Sequence, residues 1–279
     1  MKTSNPVKKF FHDLWEILRK PEIMILPGQL AFFIILSLVP IITLLGWGAS
    51  FFNLSIESMI SFLQINVSQE FLDIVMPILR GNALDVKLII IFGIMFYIAS
   101  NGPDAIIVTS NTIFNIKSKP WLKRRIKALI MTIIFIILYL FILLVPVFGS
   151  HIINAIDYFN LKSILEGFLP LVQGPISWLV IFLFIKIIYM LAPDEPIPSF
   201  RLNLGAFFTT VGWVVTTFIY TYYARNLAEY DLFYAGLSNI AFIMLWIYFL
   251  CVIFVIGMSL NQKALSDELV KTGRKKKNK

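Results

Sequence analysis

Six apolar runs recur along the chain, separated by segments rich in charged and polar residues. They cover about residues 28–52, 86–115, 126–150, 169–192, 204–228 and 236–261. A helix rises about 1.5 Å per residue, so roughly 20 apolar residues cross the hydrocarbon core of a membrane. The pattern predicts an all-α, polytopic membrane protein whose six transmembrane helices form one domain over residues 28–261.

The segments outside these runs are predicted to lie at the membrane surfaces. Residues 1–27 contain an interfacial helix on the cytoplasmic side, because its apolar side chains fall on one helical face. Residues 53–85, between the first two spans, repeat apolar positions at helical spacing and predict short amphipathic helices on the outer side. Residues 262–279 form a basic cytoplasmic tail. The apolar face of the first helix comprises Phe10, Phe11, Leu14, Trp15 and Leu18.

Composition supports a membrane protein. Hydrophobic residues make up 58% of the 279 and charged residues only 14%, whereas soluble domains carry about 25% charge. The chain therefore has too little polar surface for a soluble protein.

Basic residues predict the orientation. Of 24 lysines and arginines, 19 fall on the side that holds both termini, four fall on the other side, and Lys186 lies within the fourth span. Because basic loops stay in the cytoplasm, both termini are expected there. The net charge of +8 then reflects topology and attraction to anionic lipids rather than nucleic-acid binding. Membrane lipids are the expected partners, and the chain is compatible with a homo-oligomer.

The second span carries a polar face. Asn101, Asp104, Asn111 and Asn115 repeat at helical spacing. Asp104 lies about 18 Å from the inner boundary near residue 116, at about 1.5 Å per residue. An acid at that depth costs at least about 2.5 kcal/mol, so it normally faces a cavity or a partner.

A helix break is predicted beside that acid. Pro103 lacks an N–H and frees the carbonyl of Ala99, while Gly102 makes unwinding easier. Two interpretations follow: a broken helix that lines a polar cavity, or a proline kink in which Asp104 serves packing alone.

Further candidate substrate-path residues lie in the fourth and fifth spans. Lys186 is about 9 Å from the inner boundary near Ala192. It either snorkels to the cytoplasm or reaches toward Asp104 or an anionic substrate. Tyr189 follows it, and Tyr220 closes a polar stripe on the fifth span.

Catalytic patterns are absent from the sequence. The histidines, His12 and His151, fall on opposite membrane sides in the predicted topology, so they cannot share a metal. No Walker loop, HExxH, GxSxG or CxxC pattern occurs. No catalytic residue, metal or cofactor is expected, and the protein is predicted not to be an enzyme.

Several stretches carry a family resemblance. They are LAFFIILSLVP (30–40), YMLAP (189–193) leading into RLNLGAF, the tyrosines at 220, 230 and 234 with Gly236, and LWIYFLCVIFVIGMSLN (245–261). The chain resembles the YihY / virulence factor BrkB family over nearly all of residues 10–265. The positions that carry the motif are Ser37, Pro40, Pro193, Gly205, Gly236, Trp246, Gly257 and Asn261.

The resemblance implies a multi-pass protein of the bacterial cytoplasmic (inner) membrane. The family once bore the label ribonuclease BN, which implies metal-dependent hydrolysis, but the histidine and aspartate motif for that chemistry is missing. Ser259 stands where the family usually has an acid, so no acid role is carried over.

Two functions remain. The first is a transporter, or a flippase for a lipid or envelope precursor, with its polar site on the second span. The alternative is a non-transporting scaffold for envelope assembly, in which the same polar face is a helix–helix interface.

Overall fold

The computed structural model describes residues 6–51, 86–138, 178–226 and 235–277. Within these ranges all regular structure is helical and no strand occurs, so the all-α prediction is confirmed. In chain order the helices are α1 Pro6–Leu18, α2 Pro21–Phe51, α3 Val86–Ala99, α4 Asn101–Phe114, α5 within 121–138, α6 Trp178–Leu191, a 3₁₀ turn Ser199–Leu202, α7 Asn203–Asn226 and α8 Ala235–Lys277.

Three described stretches are long and apolar enough to cross a membrane. They are Pro21–Leu38, Ser199–Tyr223 and Ala241–Asp267, which overlap the first, fifth and sixth predicted spans. The second predicted span differs, because it consists of two helices of 14 residues each, α3 and α4. At about 1.5 Å per residue each is about 21 Å long, shorter than the hydrocarbon core.

The predicted outer segment 53–85 lies outside the described residues, as do residues 139–150 of the third predicted span and 169–177 of the fourth. His151 falls in the same undescribed part. The total of six spans and the cytoplasmic termini stay predictions.

The chain divides into two compact units. The first comprises Met1–Ile35, Asp104–Arg124 and Phe182–Lys279, and the second comprises Leu36–Pro103 and Arg125–Ile181.

The core of the first unit lies where α7 packs along α8. Gly205 of α7 meets Gly257 of α8 so closely that a Cβ on either would collide with the other's backbone carbonyl oxygen. The Gly205 N–H donates a hydrogen bond of 2.7 Å to Asn261 Oδ1. Small residues at a helix crossing let the two backbones approach, which is how membrane helices commonly associate.

Tyr189 joins α6 to the same core. Its fully buried hydroxyl lies 2.6 Å from the carbonyl oxygen of Phe254, to which it donates, and 2.8 Å from Thr209 Oγ1. The Tyr189 ring also contacts the Phe254 ring, with centroids 4.8 Å apart. A buried hydroxyl needs such partners, because an unpaired polar group in an apolar interior is costly.

Helix α4 ends in a turn that reverses the chain. Asn115 has φ of 55°, a left-handed conformation that asparagine tolerates better than most residues. The Ile116 N–H donates to the Asn111 carbonyl at 2.8 Å, and the Asn115 N–H donates to the Thr112 carbonyl at 3.3 Å. This is the Schellman arrangement. The chain then runs back along α4, since Ser118 Oγ lies 3.3 Å from Asn111 Nδ2.

Candidate functional site

The predicted polar span is interrupted at Ser100, between α3 and α4. Ser100 still donates its N–H to the Phe96 carbonyl, at 3.1 Å, and its hydroxyl donates to the Tyr97 carbonyl at 2.7 Å. Gly102 and Pro103 follow as buried residues in the first turn of α4. The proline costs little there, because the first turn of a helix has unpaired N–H groups anyway.

Arg125, in the second unit, bridges the two sides of the break between α3 and α4. Its Nη1 donates to Asn101 Oδ1 at 2.9 Å, and its Nη2 donates to the Tyr97 carbonyl at 2.6 Å. The guanidinium carbon lies 3.7 Å from the centre of the Tyr97 ring. The last carbonyls of a helix carry partial negative charge, so a cation at the end of α3 is favourable. Asn101 is thus part of a structural brace at the break.

Asp104, in the first unit, forms an ion pair with Arg124. Arg124 Nε lies 2.9 Å from Asp104 Oδ1, and the two side chains are 24% and 22% exposed. The reversal after α4 brings Arg124 to this acid. In the sequence, Arg124 is one of the 19 basic residues predicted on the side of both termini, and it was not predicted as a site residue. The signal that marks the return is Asn115, whose left-handed backbone turns the chain.

Asn111 is engaged by the proline-rich segment after α6. Its Nδ2 donates to Asp194 Oδ2 at 2.7 Å, and its Oδ1 accepts the Asp194 N–H at 2.9 Å. The same Asp194 carboxylate accepts the backbone N–H of Lys119 at 3.1 Å. These bonds connect the segment that follows α4 to the segment that follows α6, so the Asn111 amide has a structural role.

The remaining predicted path residues occupy different surroundings. Lys186 is half-buried and has no hydrogen-bond or ion-pair partner among the residues that the structure describes. Tyr220 stacks on Trp246, with ring centroids 5.2 Å apart, and Trp246 Nε1 lies 3.4 Å from Thr217 Oγ1. Among the described residues, neither the Lys186 ammonium group nor the Tyr220 hydroxyl has a hydrogen-bond or ion-pair partner.

The family-motif positions are mainly in helix interiors. Ser37 and Pro40 are buried in α2, Pro193 is buried after α6, and Gly236 lies in the first turn of α8. Ser259 is buried and donates its hydroxyl to the Val255 carbonyl of its own helix, at 2.9 Å.

One group of potential metal ligands occurs among the described residues, on α1. His12, Asp13 and Glu16 can bring ligand atoms within 4.8 Å of one another. Lys263 Nζ, however, lies 3.0 Å from Asp13 Oδ1 and also pairs with Glu16. The ammonium group already supplies the positive charge that these acids need, so the cluster is better understood as the attachment of α1 to α8.

Comparison with known proteins places the chain in a family. The family model described as virulence factor BrkB matches residues 14–279. A curated relative, the ribonuclease-like protein YfkH of Bacillus subtilis (strain 168), is 24% identical over 257 residues, which cover 86% of this chain and 91% of the relative. No solved structure matches the chain. With its apolar helices and a family match that covers all but the first 13 residues, this membrane protein belongs to the virulence factor BrkB family.

Proposed function

We propose that the protein is a membrane transporter that moves a lipid or envelope precursor, and that the Asp104–Arg124 ion pair lies on the substrate's path. One observation carries the proposal: a partly exposed ion pair stands directly after a helix break in an otherwise apolar stretch. Charged groups at membrane depth are costly and mostly mark pathways.

The chemistry of the pair indicates an anionic headgroup. Arginine binds phosphate through parallel N–H bonds, so a phosphate group can replace Asp104 as the partner of Arg124. Asp104 then releases its guanidinium contact and becomes free to bind a proton or the amine of a zwitterionic headgroup. Because about a quarter of each side chain is exposed, a ligand can reach both groups without unfolding of the helix.

The other polar residues divide into two roles. Lys186 remains a path residue in the proposal, because it is a half-buried cation without a partner among the described residues. Asn111 and Tyr189 have a structural role in the proposal and do not contact the substrate. Asp194 binds the Asn111 amide, and Phe254 and Thr209 bind the Tyr189 hydroxyl.

Flux measurements with purified protein in lipid vesicles test the proposal. Fluorescent analogues of an anionic and a zwitterionic phospholipid serve as substrates, and lipid movement between leaflets is read by dithionite quenching. We expect Asp104→Asn and Arg124→Gln each to slow movement at least about tenfold, the cost of one lost charge-assisted contact. Lys123→Gln is the matched control, because Lys123 is an exposed neighbour of Arg124. Equal flux for all three variants, with retained folding, would contradict the proposal.

A scaffold for envelope assembly is the second candidate. It is favoured by the internal partners of two residues of the polar face, since Asn111 bonds to Asp194 and Asn101 accepts a hydrogen bond from Arg125. In that case Asp104→Asn changes thermal stability or the set of co-purified proteins and leaves lipid movement unchanged.

The name of the relative YfkH points to RNA cleavage, and we do not carry that activity to this chain. The sequence lacks the clustered histidines and aspartates that metal-dependent hydrolysis of RNA uses. An RNA-cleavage assay with purified protein in the presence of Mg²⁺, Mn²⁺ or Zn²⁺ is expected to give no turnover. RNA cleavage that co-purifies with the wild-type protein through every step would overturn this.

A further inference from the structure

The amphipathic helix α1 has two faces with different occupants. One face contacts the protein: Ile17 is fully buried, and the Phe10 ring contacts the Phe208 ring, with centroids 6.4 Å apart. Lys9 Nζ lies 2.6 Å from Asp267 Oδ2 on α8. The sequence places Phe10 and Phe11 on one apolar face, but the structure divides them, because Phe10 points to the protein side and Phe11 is 63% exposed.

The acidic residues of α1 lie on the protein side. Asp13 and Glu16 both pair with Lys263 of α8. The hydrogen bond from Lys263 lowers the pKa of the Glu16 carboxyl below its usual value. Both acids are already paired with the Lys263 ammonium group, so they add little negative field to the other face.

The outer face of α1 combines an apolar strip with a basic edge. Phe11, Trp15 and Leu18 are 63%, 59% and 43% exposed, and they are adjacent at about 100° per residue. Lys8 of α1 and Arg19, which directly follows the helix, lie next to this strip, and the Arg19 guanidinium lies 4.8 Å from the centre of the Trp15 ring. Lys20 is exposed just beyond the helix. Among the described residues, none of these three cations forms an ion pair.

The position of α1 along the chain fixes what this face meets. Only residues 19 and 20 separate α1 from α2, whose first residues, from Pro21, open an apolar stretch able to cross a membrane. A helix attached so closely to a spanning segment lies at the membrane surface. Aromatic and basic side chains prefer that depth, where the rings meet the acyl boundary and the cations meet phosphate.

We propose that the outer face of α1, formed by Phe11, Trp15, Leu18, Lys8, Arg19 and Lys20, is a docking surface for an anionic lipid leaflet. The apolar strip enters the boundary between headgroups and acyl chains, and the three cations bind lipid phosphates. Because the acids of α1 face the protein and the unpaired cations face outward, the surface binds negatively charged lipid in preference to neutral lipid. Each basic residue near such a surface contributes about fivefold to binding. This surface is independent of the proposed transport path.

The test places a polarity-sensitive fluorophore on α1 of the full-length protein. Cys251, which is buried, is first replaced by serine, and a single cysteine is introduced as Leu18→Cys. The matched control is His12→Cys, because His12 is also exposed on α1 but lies outside the apolar strip. Both proteins are reconstituted in nanodiscs of phosphatidylcholine, with or without phosphatidylglycerol.

We expect phosphatidylglycerol to shift the emission of the Leu18 probe to shorter wavelength and to leave the His12 probe nearly unchanged. Replacing Lys8, Arg19 and Lys20 together by glutamine should abolish the shift, and so should high salt. A Leu18 probe that reports water in both lipids would overturn the proposal. A Leu18 probe that is buried equally in both lipids, and insensitive to salt, would also overturn it. Disulfide cross-linking between two copies of the unlabelled Leu18→Cys protein would assign the face to self-association instead.

Discussion

Arg124 Nε lies 2.9 Å from Asp104 Oδ1, so an acid in a mostly apolar stretch is paired with a base twenty residues later in the chain. The pair depends on the left-handed turn at Asn115 and on the return of the chain along α4.

The coupling between these two residues is measurable as a double-mutant cycle. Asp104→Asn or Arg124→Gln should each lower the free energy of unfolding by about 3 kcal/mol, because each leaves a partly buried charge without its partner. The double variant should be destabilised by about 2 kcal/mol less than the sum of the single variants. Thermal or denaturant unfolding in detergent gives these values. Strict additivity would show that the contact contributes nothing.

Adding one methyl group at the α7–α8 crossing should separate the helices. Gly205→Ala and Gly257→Ala each place a Cβ against the carbonyl oxygen of the other glycine, and the Cβ at position 257 also meets the Thr209 hydroxyl, so each should cost about 3 kcal/mol. Gly28→Ala is the control, since a Cβ at Gly28 meets nothing within 4 Å. Unfolding midpoints of the three variants decide the matter, and a tolerated Gly257→Ala would refute the close packing.

Removal of the Tyr189 hydroxyl should destabilise the core of the first unit. Tyr189→Phe leaves the ring in place but loses the bond to the Phe254 carbonyl and the contact with Thr209. The expected loss is about 1 to 2 kcal/mol. Tyr248→Phe serves as the control, because Tyr248 has no hydroxyl bond among the described residues. Comparable unfolding curves for the two variants would contradict the assignment.

The attachment of α1 to α8 should weaken in acid. The Lys263 bond lowers the pKa of Glu16 below its usual 4.5, so the folded state binds fewer protons than the unfolded state in this range. The stabilisation is complete above pH 4.5 and is lost as the pH falls through the lowered pKa. Glu16→Gln should therefore be less stable than wild type near neutral pH, with a difference that shrinks in acid. The effect is small, since Glu16 is exposed. A difference in stability between Glu16→Gln and wild type that does not change with pH would show that the Glu16 carboxylate is not its cause.

The apolar helices were predictable because their signal is local. The apolar side chains of a run are themselves the reason that it prefers lipid, so the run can be recognised without knowledge of distant residues. Three such runs are long helices in the structure, at 21–38, 199–223 and 241–267. The amphipathic helix α1 was predictable from spacing in the same way, although its two apolar edges were not distinguishable. Spacing alone does not tell which of Phe10 and Phe11 meets protein.

The polar contacts were not predictable, because they join residues distant in sequence. Nothing in the local pattern links Asn111 to Asp194, or Tyr189 to the carbonyl of Phe254. The partner of Asp104 was hidden for a different reason: Arg124 belongs to a basic cluster, and the positive-inside rule accounts for that cluster without any pairing. Asn115 was counted as part of a polar face, whereas its backbone is what redirects the chain.

Helix α8 runs without interruption for 43 residues, from Ala235 to Lys277, which corresponds to about 65 Å. The apolar core of a bilayer is about 30 Å thick, so a large part of this helix projects beyond it as a rigid rod. Ion pairs attach α1 to this projecting part of α8: Asp13 and Glu16 pair with Lys263, and Lys9 pairs with Asp267. A tilt of α8 within the bilayer therefore acts as a lever, and its displacement is delivered to α1 without any intervening hinge.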